Sequence, residues 1–246
     1  MLDFLKNHPF AVEAHFDSSL VLTFAFPKEK IAHLIPACLT LDTFQEEWAF
    51  LAVAIVSTKG LRPAGFPKAL GNDFILTGYR AFVRYTDNRG KRLRGLFILK
   101  SETNKKMMEV MGNLFTHYNY STTDIKLRQE DSILTVNAIK TGLNIQIKDD
   151  DSEVHLPPDS PFADWKEARR FAGPLPFTFT YTPETGEVLI VEGVREHWTP
   201  RPVQVISSNI PYFQGIGLDQ QVLANAFLIH DIPYRWKKGR KEQWKP

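Results

Sequence analysis

The sequence predicts an α+β fold that is mainly β, a single antiparallel barrel-like sheet with a few short helices. Three observations carry that expectation. About ten segments show strand-type patterning at a spacing of roughly 8 to 12 residues, the rhythm of a sandwich or barrel. Only two or three short stretches have helical spacing, and no repeat of fixed period interrupts the series. The composition is that of a globular protein: 246 residues, 43% hydrophobic, 24% charged, with 14 Gly, 16 Pro and one Cys. Disordered, collagen-like, coiled-coil and disulfide-stapled chains depart from those values.

The elements follow in order. Residues 19–26 (SLVLTFAF) are apolar and β-prone and stop at Pro27, which lacks a backbone donor. In PKEKIAHLIP, Ile31, Leu34 and Ile35 recur at helical spacing behind a proline, giving a short helix closed by Pro36. Residues 48–58 (WAFLAVAIVST) form a nearly unbroken apolar run, expected of a strand buried on both faces or of a barrel wall. The next stretch, GLRPAGFPKALGND, is dense in Gly and Pro and reads as an ordered loop. Residues 74–85 (FILTGYRAFVRY) read as a strand with Arg80 and Arg84 on one face, and DNRG turns it into the returning strand RLRGLFILK. Met107, Val110, Met111 and Leu114 then mark the best helix, with Ser101 or Thr103 as its candidate N-cap. Beyond it, KLRQ, SILTVNAIK and LNIQIK suggest a meander of short strands. An acidic, Pro-rich loop (DDDSEVHLPPDSP) precedes a second short helix at 162–171 and a hairpin turning at 184–186, and PVQVISSN is a further strand.

Charge narrows the function classes. A formal net charge of +2 gives no broad basic face for nucleic acid. The opening MLDFLKNHPF has no signal-peptide run, and no stretch approaches the roughly 18 apolar residues of a membrane span. The expectation is a cytoplasmic protein without nucleic-acid or membrane partners, and self-association into a homo-oligomer is compatible with the sequence. The tail from Pro233 (PYRWKKGRKEQWKP) interleaves basic and aromatic residues and is expected to be solvated and partly frayed. Cys38 reads as a small buried hydrophobe.

Several catalytic signatures are missing: GxxxxGK[ST], a GxGxxG after a strand, HExxH and GxSxG. No histidine pair has metal-ligand spacing, so neither cofactor nor metal is expected. What remains are polar residues where strands end. Arg62 and Arg80 either close structural ion pairs or hold a carboxylate, because a guanidinium inside a barrel needs an anionic partner. His117 and His197 are candidate proton carriers with a competing structural role as carbonyl partners.

Taken in serial order, LTFAFPKEKIAHLIPACLTLDTF, IVSTKGLRPAGFP, NDFILTGYRAFVRY, GLFILKSETNKKMMEVMGNLFTHYNY and VREHWTPRPVQV resemble an uncharacterised domain-of-unknown-function branch of the acetoacetate decarboxylase-like superfamily. The resemblance spans residues 17–207 and crosses the acidic loop without a break, so one domain over 1–246 is expected. It implies a cone-like β-barrel around a central pocket. In decarboxylating members of that superfamily a lysine forms a Schiff base with a β-keto acid, and its activation by a neighbouring cation in acetoacetate decarboxylase is an established example. The matching segment here is Thr116, His117, Tyr118, Asn119 and Tyr120, with Asn119 and Tyr120 at the two lysine positions. Neither side chain forms an iminium. Lys105 and Lys106 precede the helix and read as an exposed face, which leaves Lys100 as the only substitute amine worth testing. Two expectations follow. In one, the protein binds a small carboxylate or apolar ligand, with Arg62 and Arg80 as anchors, Phe115 and Trp198 as walls and Tyr120 in the pocket. In the other it is an enzyme acting on a small keto acid or carbonyl compound, with His117, Tyr118 and His197 as catalytic acid-base groups.

Overall fold

The computed structural model describes residues 5–172 and 175–245. The first half comprises β1 (Val12–Pro27), α1 (Lys28–Ile31), β2 (Thr40–Leu41), β3 (Trp48–Pro63), β4 (Asn72–Thr86), β5 (Arg92–Thr103) and α2 (Lys106–Phe115). Short strands β6 (Tyr120–Thr122), β7 (Lys126–Glu130), β8 (Ile133–Ala138) and β9 (Leu143–Lys148) follow, then α3 (Trp165–Phe171) and the hairpin β10 (Phe177–Thr182) and β11 (Glu187–Arg195). The chain ends with β12 (Arg201–Pro202), β13 (Gln204–Asn209), α4 (Pro211–Gly215), β14 (Val222–Trp236) and β15 (Arg240–Gln243).

The mainly β expectation holds, and the connectivity explains the burial pattern. Along the larger sheet β14, β1, β3, β4, β5, β10 and β11 are successive neighbours, and a further β11–β14 pairing closes them into a ring. Strand β3 is buried at every position from 49 to 56, as its unbroken apolar run requires. Its odd-numbered residues Leu51, Val53 and Ile55 join the layer that packs against the smaller sheet β13-β9-β8-β7 through Val136, Ile145 and Ile147. Its even-numbered residues face the inside of the ring. There Phe50 and Ala52, with Phe82, Phe162 and Leu96, fill one end beneath α3. Phe50 stacks on Phe162 at 5.4 Å and meets Phe171 at 5.0 Å, so aromatic packing closes that end.

Four local expectations are corrected. The ring is not wholly antiparallel, since β5 pairs in parallel with both β10 and β6. Strand β3 continues through Pro63 because Glu13 and Val12 of β1 pair with Arg62 and Pro63, so the front of the expected loop is strand. Ser101 and Thr103 lie in β5; the residue before α2 is Lys105, with no side-chain cap. Finally, the tail is not frayed. Pro233, Tyr234 and Trp236 belong to β14, which pairs with both β1 and β11 and so completes the ring. Three of its six basic residues form ion pairs: Lys237 meets Glu192 at 2.9 Å, Lys241 meets Glu187 at 2.8 Å, and Arg240 reaches Glu242 and Asp87. Part of the basic excess is thus answered by acids on β11, on β15 and in the turn after β4, and Tyr234 and Trp236 of β14 turn inward to line the ring. No helix among the described residues is long and apolar enough to cross a membrane.

Truncation after Ile232 is therefore expected to abolish cooperative thermal unfolding followed by circular dichroism, since it removes the residues through which β14 meets β11. A frayed tail would leave the transition unchanged.

Candidate functional site

Between the aromatic plug and α2 the ring encloses a cavity of about 240 Å³. Its walls are mostly apolar, with Val21, Val56, Phe74, Leu76, Leu96 and Ile98 contributed by the strands and Met107, Met108 and Met111 by α2. The helix is held over the opening in two ways. Glu109 bonds both Lys106 and the Thr122 hydroxyl of β6. Gly112 lies flat on the Tyr120 ring, where a Cβ would collide with Cδ2.

Arg80 projects into this cavity from β4. Its guanidinium folds back over Gly78, whose absent Cβ would lie 2.8 Å from Nε. Both residues share the inner face because strand side chains alternate. Arg80 Nε is buried without a hydrogen-bond partner, and no carboxylate among the described residues pairs with the side chain. Burial depresses its pKa, and the charge of Arg195 pushes the same way, while Tyr234, Tyr120 and Tyr118 oppose them. An unpaired guanidinium in an apolar enclosure is an unfavourable resting state that an anion would relieve.

Arg62 also lines the cavity, but its guanidinium is already used. It pairs with Glu13 at 2.6 Å and donates to the carbonyls of Phe66 and Gly60 at 2.9 Å each. Of the two alternatives open in the sequence, the ion pair is the one Arg62 makes. Phe115, Tyr118, Tyr120 and Trp198 all line the cavity. Burial pushes the Tyr120 phenol up to about 12, with Arg80 opposing, and raises Tyr118 further. Tyr118 Oη is buried and lacks a well-formed hydrogen bond, although the Thr178 side chain lies beside it. Both phenols are therefore neutral donors at physiological pH.

The two histidines singled out from sequence are not among the described residues lining the cavity. His197 is exposed beyond the end of β11, and His117 is half-buried beside Tyr118. The cavity histidine is His8. Its Nε2 is buried without a partner, its ring centroid lies 5.8 Å from that of Tyr118, and burial lowers its pKa to about 4. Sequence reasoning also passed over Arg195, Tyr234 and Trp236, which complete the lining. A signal was available: TGYR and EGVR each place a glycine two residues before an arginine, so a gap and a cation share one face of a strand. The absent Cβ of Gly193 is what admits the Tyr234 hydroxyl.

Lys100 is excluded from the cavity by one residue of register. Tyr79 pairs with Lys100 but Arg80 pairs with Ile98, leaving Leu99 as a bulge. The bulge reverses parity, so Leu96 and Ile98 face inward, Ser101 follows them, and Lys100 faces outward. Asn119 secures this geometry. With φ at +52° it donates from its side chain to the Leu99 carbonyl at 3.3 Å and accepts from Ser101 N at 3.3 Å. On the outer face Lys100 meets Glu102 at 2.6 Å, and Tyr79 donates to the same carboxylate at 3.1 Å. No lysine lines the cavity, and no group of three His, Cys, Asp or Glu is placed to hold a metal, among the described residues.

His8 provides a stability test of this site. Its folded pKa lies below the ordinary histidine value of 6.5, so the unfolded chain takes up protons first as pH falls. Stability contributed by neutral His8 is present at pH 7.5 and is lost progressively toward pH 4. The difference amounts to about 2 kcal/mol between pH 7.5 and pH 5. His8→Gln should flatten the pH dependence of unfolding free energy by that amount, and the His8 Cε1 proton resonance should titrate near 4.

The geometry has relatives of known structure. An acetoacetate decarboxylase-like enzyme from Sphingomonas wittichii RW1 is similar with a TM-score of 0.62 at 12% identity, over 96% of this chain and 94% of that one. Acetoacetate decarboxylase from Legionella pneumophila gives 0.58 at 10% identity, over 94% and 87%. The enduracididine biosynthesis enzyme MppR, complexed with pyruvate, gives 0.54 at 9%, over 95% and 91%. At such identities the likeness is one of fold. No curated protein sequence matches the chain. The fold is thus acetoacetate decarboxylase-like, and the family model that matches residues 13–240 places the chain in the DUF2071 family, described as an uncharacterized conserved protein.

Proposed function

We propose that this protein binds a small carboxylate with an apolar body in the ring cavity, and that it does not decarboxylate keto acids through a lysine imine. The observation that carries the binding reading is Arg80, a half-buried side chain whose Nε is buried and free and which has no acidic partner among the described residues. A carboxylate supplies the missing acceptor and the missing charge, and charge-assisted hydrogen bonds are the strong ones. Tyr118 and Tyr120 add neutral donors, and the aliphatic and methionine walls take up the apolar remainder. Against imine chemistry stand Tyr120 and Asn119 at the positions that match the superfamily's lysines, together with the outward turn of Lys100.

A second reading, acid-base turnover of a small keto acid or carbonyl compound, draws support from His8 beside Tyr118. With its pKa near 4 this imidazole is unprotonated at neutral pH and available as a base, though a weak one.

Titration calorimetry with butyrate, hexanoate and levulinate should give saturable binding to the wild type, with the matching amides at least tenfold weaker. Arg80→Met should lose the preference of acid over amide while raising the melting temperature of the unliganded protein, because an uncompensated buried charge is removed. Equal binding of acids and amides would sink the carboxylate reading. Borohydride treatment with acetoacetate should leave the protein mass unchanged; an adduct on any lysine would restore imine chemistry. For the second reading, deuterium exchange at C3 of 2-oxobutanoate should be accelerated by wild type and lost in His8→Gln.

A further inference from the structure

We propose that the cavity is built for a dicarboxylate, with one carboxylate at Arg80 and the other at Arg195. The inference rests on the carboxylate reading of Arg80 and extends it to the substrate class. Three cations line the cavity, and Glu13 neutralises one of them, Arg62. No Asp or Glu is among the described lining residues, so Arg80 and Arg195 remain uncompensated. Water in the cavity would satisfy their N–H groups but would leave both charges in place.

The surroundings of Arg195 have the form of a second anchor. Its guanidinium carbon lies 4.2 Å from the Trp198 ring centroid and 5.3 Å from that of Tyr234, within cation–π range of both rings. Ring contacts of this kind use no N–H acceptor, so they leave the donors of the ion to be answered by a carboxylate. Arg195 Nε is buried and unpartnered, and Nη2 reaches only the Leu175 carbonyl at 3.5 Å. Trp198 Nε1 is likewise buried without a partner. Arginine and tryptophan nitrogens donate and cannot accept, so the complement at this end must carry acceptors.

Topology separates the two anchors. Arg80 enters from β4 and Arg195 from the end of β11; β5 and β10 lie between them one way round the ring, and β3, β1 and β14 the other. Apolar side chains such as Leu76, Leu96 and Ile98 occupy the intervening wall. Two cations on different strands, near enough for the charge of Arg195 to act on Arg80, call for two anionic groups, and the apolar lining between them suits carboxylates joined by a short aliphatic spacer better than one doubly charged head group.

The test compares glutarate and adipate with butyrate and hexanoate at constant ionic strength and pH 7.5, by titration calorimetry on the full chain, with inorganic phosphate as a single-headed dianion. One dicarboxylate should bind at least tenfold more tightly than its monocarboxylate and than phosphate. Arg195→Met should erase that preference and leave monocarboxylate affinity within twofold, while Arg80→Met weakens both classes. Arg195→Met should also melt no lower than wild type, and a lower melting temperature would mark Arg195 as structural and overturn the proposal. Equal affinity for mono- and dicarboxylates, preference for phosphate, or an Arg195→Met variant that weakens both classes alike would overturn the second anchor but leave the carboxylate reading standing. Failure of every acid to bind folded wild type would remove both.

Discussion

A charged guanidinium held inside a ring of hydrogen-bonded strands is costly unless something answers it, and much of this structure is arranged around that constraint. Arg80 has room only because Gly78 lacks a side chain beneath it. It stays unpaired because no acid is among the described residues lining the cavity, and nearby acids answer other cations: Glu13 pairs with Arg62, Glu102 with Lys100, and Asp42 with Arg84 and Arg94. The aromatic plug closes one end of the ring and α2 covers the cavity from the other side. Apolar surroundings raise the strength of any charged contact made there, and equally the cost of making none.

That arrangement separates the binding machinery from the stabilising machinery by strand face. On β5 the outward residues Lys100 and Glu102 belong to a buried polar cluster with Tyr79 and Tyr212, whose rings lie 4.2 Å apart, whereas the inward residues Leu96, Ile98 and Ser101 line the cavity. A single bulged residue, Leu99, sets which group goes where, and Asn119 satisfies its carbonyl. The segment from 116 to 120 therefore has two different tasks. Asn119 holds backbone, and Tyr120 presents a neutral phenol to Arg80.

The resemblance to the acetoacetate decarboxylase-like superfamily was legible because it lay in the order of several segments, each tolerant of substitution. The strands were legible for a simpler reason, that alternation and unbroken apolar runs record burial directly. Site residues were harder. Arg80, Phe115, Tyr118, Tyr120 and Trp198 were singled out and do line one cavity, while His117 and His197 were chosen by residue type at strand and helix ends and lie outside its described lining. His8 escaped notice in a short segment with no periodicity, and Tyr234 and Trp236 were hidden in what composition suggested was a solvated tail.

The amino-acid order alone determined the mainly β character, the apolar walls, the best helix and the presence of Asn119 and Tyr120 in the segment after it, since each is a matter of local pattern or residue identity. Three things were decided only in three dimensions. The β11–β14 pairing turned a basic tail into the closing strand of the ring, a bulge turned Lys100 outward, and the partners at hand decided that Arg62 would be neutralised and Arg80 and Arg195 would not. Long-range pairing, register parity and charge compensation depend on residues far apart in sequence, and no local pattern encodes which of them will meet.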